Sequence, residues 1–142
     1  MLVLIQGPAG GAKSQVAAEM LEAGQVQVLA DTTALWVALS GVQRGPDGRY
    51  PIRQDDDPAL AVALYVQSVA VRRGLEDGAD VAVTTSRRGQ EARWRRLADS
   101  AGTRLVVRTV DPGEDVVRAR LADPDGKLSD PCANAVARWY RR

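Results

Sequence analysis

Residues 2–21 read LVLIQGPAGGAKSQVAAEML, and the reading of this stretch decides the fold. Leu2–Gln6 is a short continuous apolar run, the pattern of a strand buried on both faces. A glycine-rich turn follows, and then a helical pattern over residues 13–23 that Gly24 closes as a C-terminal stop. Between strand and helix stand Gly7, Pro8, Ala9, Gly10, Gly11, Ala12, Lys13 and Ser14. The phosphate-binding loop pattern asks for Gly, four residues, Gly-Lys, then Ser or Thr, at a strand-to-helix junction. Glycines let the backbone curl until several N–H groups face one anion, and the helix N-terminus adds its dipole and unpaired donors. Lys13 then reaches β- and γ-phosphates, and the Ser14 hydroxyl is a Mg²⁺ ligand. The expected ligand is ATP with Mg²⁺. One position departs from the pattern, because its last Gly is Ala12; a positive φ there would cost an alanine about 1 kcal/mol.

Outward from this loop, strand and helix patterns alternate, which argues for a parallel sheet with helices on both faces. Strands are expected over residues 26–30, 80–85 and 104–110, and helices over 32–39, 90–101 and 112–121. Asp57-Pro58 starts a long helix whose apolar stripe is Leu60, Leu64, Val71 and Leu75. Asp111 is placed to cap the helix after the fourth strand, and Asp130-Pro131 opens a final helix on which Trp139 and Tyr140 pack against the body. Residues 41–57 (GVQRGPDGRYPIRQDDD) form the long irregular stretch, of the kind that is usually functional or mobile. Asp55 and Asp56 suit the positive end of the following helix dipole, with a metal site as the alternative reading of the acidic triplet.

The chain of 142 residues suits one domain that buries roughly two-thirds of its unfolded surface. It has no Phe, so Val, Leu and Ala must fill the core. The apolar runs are too short for a membrane helix, and no signal-peptide pattern opens the sequence; a cytoplasmic location is expected. The single Cys132 excludes an internal disulfide, and with no His a zinc site and His-assisted nucleophiles are unsupported, which leaves acid–base work to carboxylates. Net charge is +1 but uneven: residues 1–86 hold six basic and ten acidic side chains, residues 87–142 thirteen and eight. Nearly all the positive charge is Arg, which suits bidentate phosphate contacts, so nucleic acid is a possible partner beside the nucleotide.

With these motifs the chain resembles the P-loop kinases related to polynucleotide kinase, an AAA-type kinase domain. The resemblance implies a three-layer αβα P-loop NTPase fold, with about four parallel strands in the order 2-3-1-4. It also implies a catalytic Asp just after the second strand, which Asp31 in VQVLADTTALW matches. Such a carboxylate would orient an acceptor hydroxyl and take its proton; capping the next helix is the structural alternative. The Arg that polynucleotide kinases carry shortly after this Asp has no counterpart in Thr32, Thr33, Ala34, Leu35 and Trp36. In VAVTTSRRG, Thr84 and Ser86 stand where the family has its D-x-T element. Arg87 and Arg88 are candidate substrate-binding residues, the helix residues Arg93 and Arg96 weaker ones. Arg120 is the expected lid arginine, with Arg118 as the alternative, and Lys127 is a further candidate to close over phosphates. The expectation is a kinase acting on a hydroxyl-bearing substrate. The alternatives are a catalytically degenerate nucleotide-binding module and a motor or switch NTPase. The last lacks both an N-K-x-D element and a strand ending in Asp-Glu.

Overall fold

The computed structural model describes residues 1–53 and 56–141. Four parallel strands form one sheet in the order β2-β3-β1-β4. They are β1 (Leu2–Gln6), β2 (Val28–Ala30), β3 (Val81–Thr85) and β4 (Leu105–Thr109). The helices are α1 (Lys13–Glu22), α2 (Thr32–Ser40), α3 (Pro58–Glu76), α4 (Glu91–Ser100), α5 (Glu114–Leu121) and α6 (Asp130–Tyr140). The expected strand order and three-layer arrangement are therefore present.

Central β1 shows why the sheet must be covered on both sides. Alternate side chains of a strand point to opposite faces. Leu2 and Leu4 pack with Val71 and Leu75 of α3 and with Trp94 and Ala98 of α4. Val3 and Ile5 pack with Ala17 and Met20 of α1 on the other face. At the α3 face the approach is close: a Cβ on Gly74 would lie 2.8 Å from Val81 Cγ2. A third cluster joins Trp36 of α2 to Leu60 and Ala63 of α3, and Val42 and Tyr50 pack against it. The irregular stretch after α2 is thus pinned to the body at two apolar points.

Several boundaries differ from expectation for local reasons. β2 is shorter, because Gln27 N and Val28 N both turn to Asp80 O before the ladder begins. Asp111 does not cap α5. That helix starts at Glu114 behind Gly113, which has φ 103°. Asp111 instead accepts from Gly113 N, Trp139 Nε1 and Tyr140 Oη, so it ties α6 to the end of β4. α6 does start at Asp130 as expected, and Ser129 caps it by accepting from Cys132 N. Asp57 caps α3 as expected and also accepts from Trp36 Nε1 at 2.7 Å. Asp55 lies outside the described residues, and no group of three or more metal-ligating residues gathers among the described ones. No described helix is long and apolar enough to cross a membrane.

Candidate functional site

Open parallel sheets bind ligands beyond the carboxyl ends of their strands. There β1 runs into the Gly7 loop, β2 into Asp31 and β3 into residues 84–86. The loop is held from both sides: Gly7 N donates to Thr85 O at 3.2 Å, and Val110 N to Gln6 O at 2.8 Å. Gly7 is needed for this close fit, since a Cβ there would sit 2.1 Å from Val110 O. A turn from Gly11 N to Pro8 O bends the chain back, and α1 starts immediately after Ala12. Ala12 has φ 71° and ψ 27°, so the alanine does occupy the left-handed region that the glycine of the pattern serves.

Lys13 is 9% exposed and donates Nζ to Pro8 O at 2.8 Å. Burial lowers its pKa to about 8, the positive charge of Arg53 pushes the same way, and Asp31 pulls against them. An anion arriving beside it would favour the ammonium form and raise this pKa again.

Asp31 is the hub of the site. It is 5% exposed and accepts from Ser14 Oγ at 3.0 and 3.1 Å, from Thr84 Oγ1 at 2.8 Å, and from Ala34 N at 3.0 Å. The last bond caps α2, so the capping and functional readings of this residue coexist in space. Thr84 stands where the resembled kinases have a carboxylate and does not replace it in kind. It accepts from Thr32 N and donates to Asp31, and so orients the carboxylate that remains. Beneath them Gln67 of α3, 3% exposed, donates Nε2 to Ala30 O, Thr32 Oγ1 and Thr84 O at 2.8–3.0 Å. Gln67 ties together the carboxyl ends of β2 and β3, the two strands that deliver Asp31 and Thr84. Sequence reasoning missed it, although it occupies the gap between Leu64 and Val71 in the apolar stripe. A polar residue on a buried stripe was the available signal.

Arg53 was also missed, because it sits in the irregular stretch rather than next to Asp31. Its Nη1 donates to Thr33 Oγ1 at 2.7 Å, and its guanidinium lies 5.9 Å from the Trp36 ring centre. Burial depresses its pKa, Asp31 opposes the shift, and the charges of Arg138 and Arg87 add to it.

Two clefts meet at this arginine. The larger, of about 520 Å³, is bordered by Lys13, Ser14, Arg44, Arg49, Arg53 and Arg120. The smaller, of about 60 Å³, has walls from Ile52, Leu60 and Ala135 and a rim from Arg53, Arg87 and Arg138. No carboxylate lines either among the described residues.

The remaining candidates separate cleanly. Arg120 Nη1 donates to Gly10 O at 3.0 Å, whereas Arg118 turns away to Glu114. Arg87 borders the smaller cleft. Arg88 does not line either cleft; it donates to Trp139 O and stacks on the Trp139 ring at 4.3 Å, so it holds α6. Arg93 bonds Ser68 and stacks on Trp94, and Arg96 lines a groove between α3 and α4, away from the loop. Lys127 is exposed in its turn. Trp139 is 1% exposed and packs α6 as expected. For a metal, the donor chemistry fits Mg²⁺: one hydroxyl and one carboxylate in contact leave room for phosphate oxygens and waters.

No family model and no curated protein matches this sequence. Among solved structures, the chain is similar to a candidate kinase from Chloroflexus aurantiacus, with 15% identity and a TM-score of 0.69. The match covers 99% of this chain and 78% of that one. At this identity the likeness is one of fold.

Proposed function

We propose that this protein is a kinase that moves the γ-phosphoryl group of ATP to a hydroxyl acceptor. One observation carries the reading: the hydroxyl of Ser14 and the carboxylate of Asp31 meet at 3.0 Å, at the mouth of a glycine-rich loop. A hydroxyl beside a phosphate-cradling loop and a carboxylate from the neighbouring strand are what phosphoryl transfer uses to align its two reactants. The fold shared with a candidate kinase supports the same class.

In this reading the N–H groups of residues 9–14 and the α1 dipole hold the β- and γ-phosphates. Lys13 leaves Pro8 O for the phosphate oxygens, and Arg120, already on the loop at Gly10, offsets charge on the group in transfer. Ser14 and Asp31 would hold Mg²⁺, which neutralises phosphate charge when bound. The acceptor oxygen attacks the γ-phosphorus, the bond to the β,γ-bridging oxygen breaks, and ADP leaves. Asp31 orients the attacking hydroxyl and takes its proton. Its oxygens already accept several hydrogen bonds that fix its place, and the loose transition state asks more for positioning than for proton removal.

A second reading, binding without transfer, is favoured by Thr84, which gives the end of β3 a hydroxyl instead of a second carboxylate. Labelled ATP and Mg²⁺ against a panel of hydroxyl acceptors decides between them. Transfer that falls sharply in Asp31→Asn supports the kinase. Tight ATP binding with no transfer to any acceptor supports the binding module, and no ATP binding at all would sink both.

A further inference from the structure

Away from the nucleotide loop, α3 and α4 enclose a groove of about 230 Å³. Ser68 and Arg72 of α3 and Arg93, Arg96 and Ser100 of α4 border it, and Trp94 forms its floor. A hollow of about 330 Å³ continues it past Arg72 and Ser100 to Leu75 and Glu76. α3 leads into β3 and α4 into β4, so the groove runs towards the amino ends of the strands, opposite to Asp31. On these helices Arg73 and Arg95 pair with Asp77 and Glu91 of their own helix. Arg93 instead reaches the neutral Ser68 hydroxyl and stacks on the Trp94 ring at 4.8 Å. Arg72 and Arg96 form no ion pair with a described residue. The floor holds an anomaly. Trp94 is 1% exposed, and its Nε1 has no hydrogen-bond partner among the described residues. Trp36 and Trp139, by contrast, donate to Asp57 and Asp111. A buried donor left without an acceptor costs about 1–3 kcal/mol.

We propose that this groove is a second ligand site, for a small phosphate monoester. The phosphate lies among Arg72, Arg93 and Arg96, and an uncharged, hydroxyl-bearing remainder extends towards Ser100 and Glu76. The donors fit the phosphate. Guanidinium forks meet two oxygens at once, and an indole N–H can only donate, so each wants an oxygen acceptor. Arg93 gains by exchanging partners, because a charge-assisted bond is roughly twice as strong as one to a neutral hydroxyl. Leaving Ser68 also draws it off the Trp94 ring, which opens the floor to the ligand. The far end fits the remainder. Leu75 and Leu97 are apolar, and the Glu76 carboxylate accepts from hydroxyls. The same carboxylate opposes a polyanion that continues along the groove, and the flanking Arg73 and Arg95 already have carboxylate partners. Charge confined to one end marks a small ligand and not a nucleic-acid strand. Groove and hollow together have the size usual for such ligands, about 300–1,000 Å³.

The test reads the Trp94 indole directly. In isotope-labelled protein the three tryptophans give three indole N–H resonances, and Trp94→Phe identifies the one concerned. Ribose 5-phosphate is titrated into wild type and into Lys13→Ala, which impairs the nucleotide loop. We expect the Trp94 resonance to move downfield and saturate in the millimolar range or below, equally in both proteins. The Trp36 and Trp139 resonances should hold still. Arg72→Gln combined with Arg96→Gln should weaken binding about ten- to hundredfold. Both side chains are exposed, so thermal unfolding should not change, and Lys at both positions should restore part of the affinity. An unmoved Trp94 resonance, binding lost in Lys13→Ala, or equal affinity in the double Gln variant each overturns the proposal. Free ribose that binds as well as its phosphate does the same. A duplex oligonucleotide that moves the Trp94 resonance at lower phosphate concentration than ribose 5-phosphate overturns it in favour of nucleic acid.

Discussion

The two sides of the site are built on opposite principles. Around Asp31 the polar groups answer one another: Ser14, Thr84 and Ala34 donate to the carboxylate, Thr32 donates to Thr84, and Gln67 donates to both strand ends. Across the cleft, Lys13, Arg53, Arg44, Arg49 and Arg120 contribute positive charge to a surface that no carboxylate lines among the described residues. Four of them bond to carbonyls or a neutral hydroxyl: Lys13 to Pro8, Arg120 to Gly10, Arg44 to Gly48 and Arg53 to Thr33. The difference teaches where stability and function reside. A satisfied hub rigidifies the elements that carry it. A cationic wall opposes itself until an anion enters, and such stored repulsion is a cost carried for binding.

The sharpest way to break this division is at Lys13. Lys13→Ala should lower phosphoryl transfer by about 10²–10³-fold, the loss typical of one positioned transition-state donor. Because the ammonium is buried with only a carbonyl as its bonded partner, the same change should leave urea unfolding at neutral pH unaltered or slightly improved. A large loss of stability would show that Lys13 belongs to the scaffold instead.

The same residue predicts a pH dependence. Its folded pKa of about 8 lies below the ordinary 10.5, so between those values the unfolded chain holds more protons. Stability must then rise with pH across that window, and the penalty, full below pH 8, disappears above 10.5. The gain is on the order of 3 kcal/mol and is read as the difference between wild type and Lys13→Met, which removes the contribution of other titrating groups. Nucleotide binding should reverse the depression. At pH 9, calorimetry in two buffers of different ionisation enthalpy should show proton uptake approaching one per ATP. Binding with no uptake would mean that Lys13 does not meet the phosphates.

On the satisfied side the matching probe is Gln67→Leu. It preserves bulk and strips the donor from Ala30 O, Thr84 O and Thr32 Oγ1, so unfolding free energy should fall by about 2 kcal/mol. ATP affinity should change far less than in Lys13→Ala. If Gln67→Leu were as stable as wild type, the hub would owe its order to the sheet alone.

How much of this could be read in advance follows the same division. The loop, its flanking strand and helix, and the order of elements were legible because they are local patterns: an apolar run, a glycine turn, a helical period. Asp31 was legible because it directly follows a strand. Arg53 was not, because its place depends on where Val42 and Tyr50 pin an aperiodic segment to α2 and α3, and that is a tertiary fact. Thr84 looked like a deficit, since the partner that gives it a role is 53 residues away in sequence. Arg87 and Arg88 are neighbours with equal claims in sequence, and the carbonyl and ring of Trp139 alone separate Arg88 from the cleft.

The smallest predicted effect tests whether the loop itself stores strain. Ala12 holds φ 71°, a conformation that costs an L-residue with a Cβ roughly 1–2 kcal/mol. Ala12→Gly would relieve that cost but would also widen the freedom of the unfolded chain, an opposing change of about 0.4–1 kcal/mol. The two nearly cancel, so a net stabilisation of about 1 kcal/mol or less is expected, with transfer equal to or faster than wild type. The sign matters more than the size. Destabilisation by Ala12→Gly would mean that the left-handed turn is not what the alanine endures, and that its methyl group makes a contact the folded loop depends on.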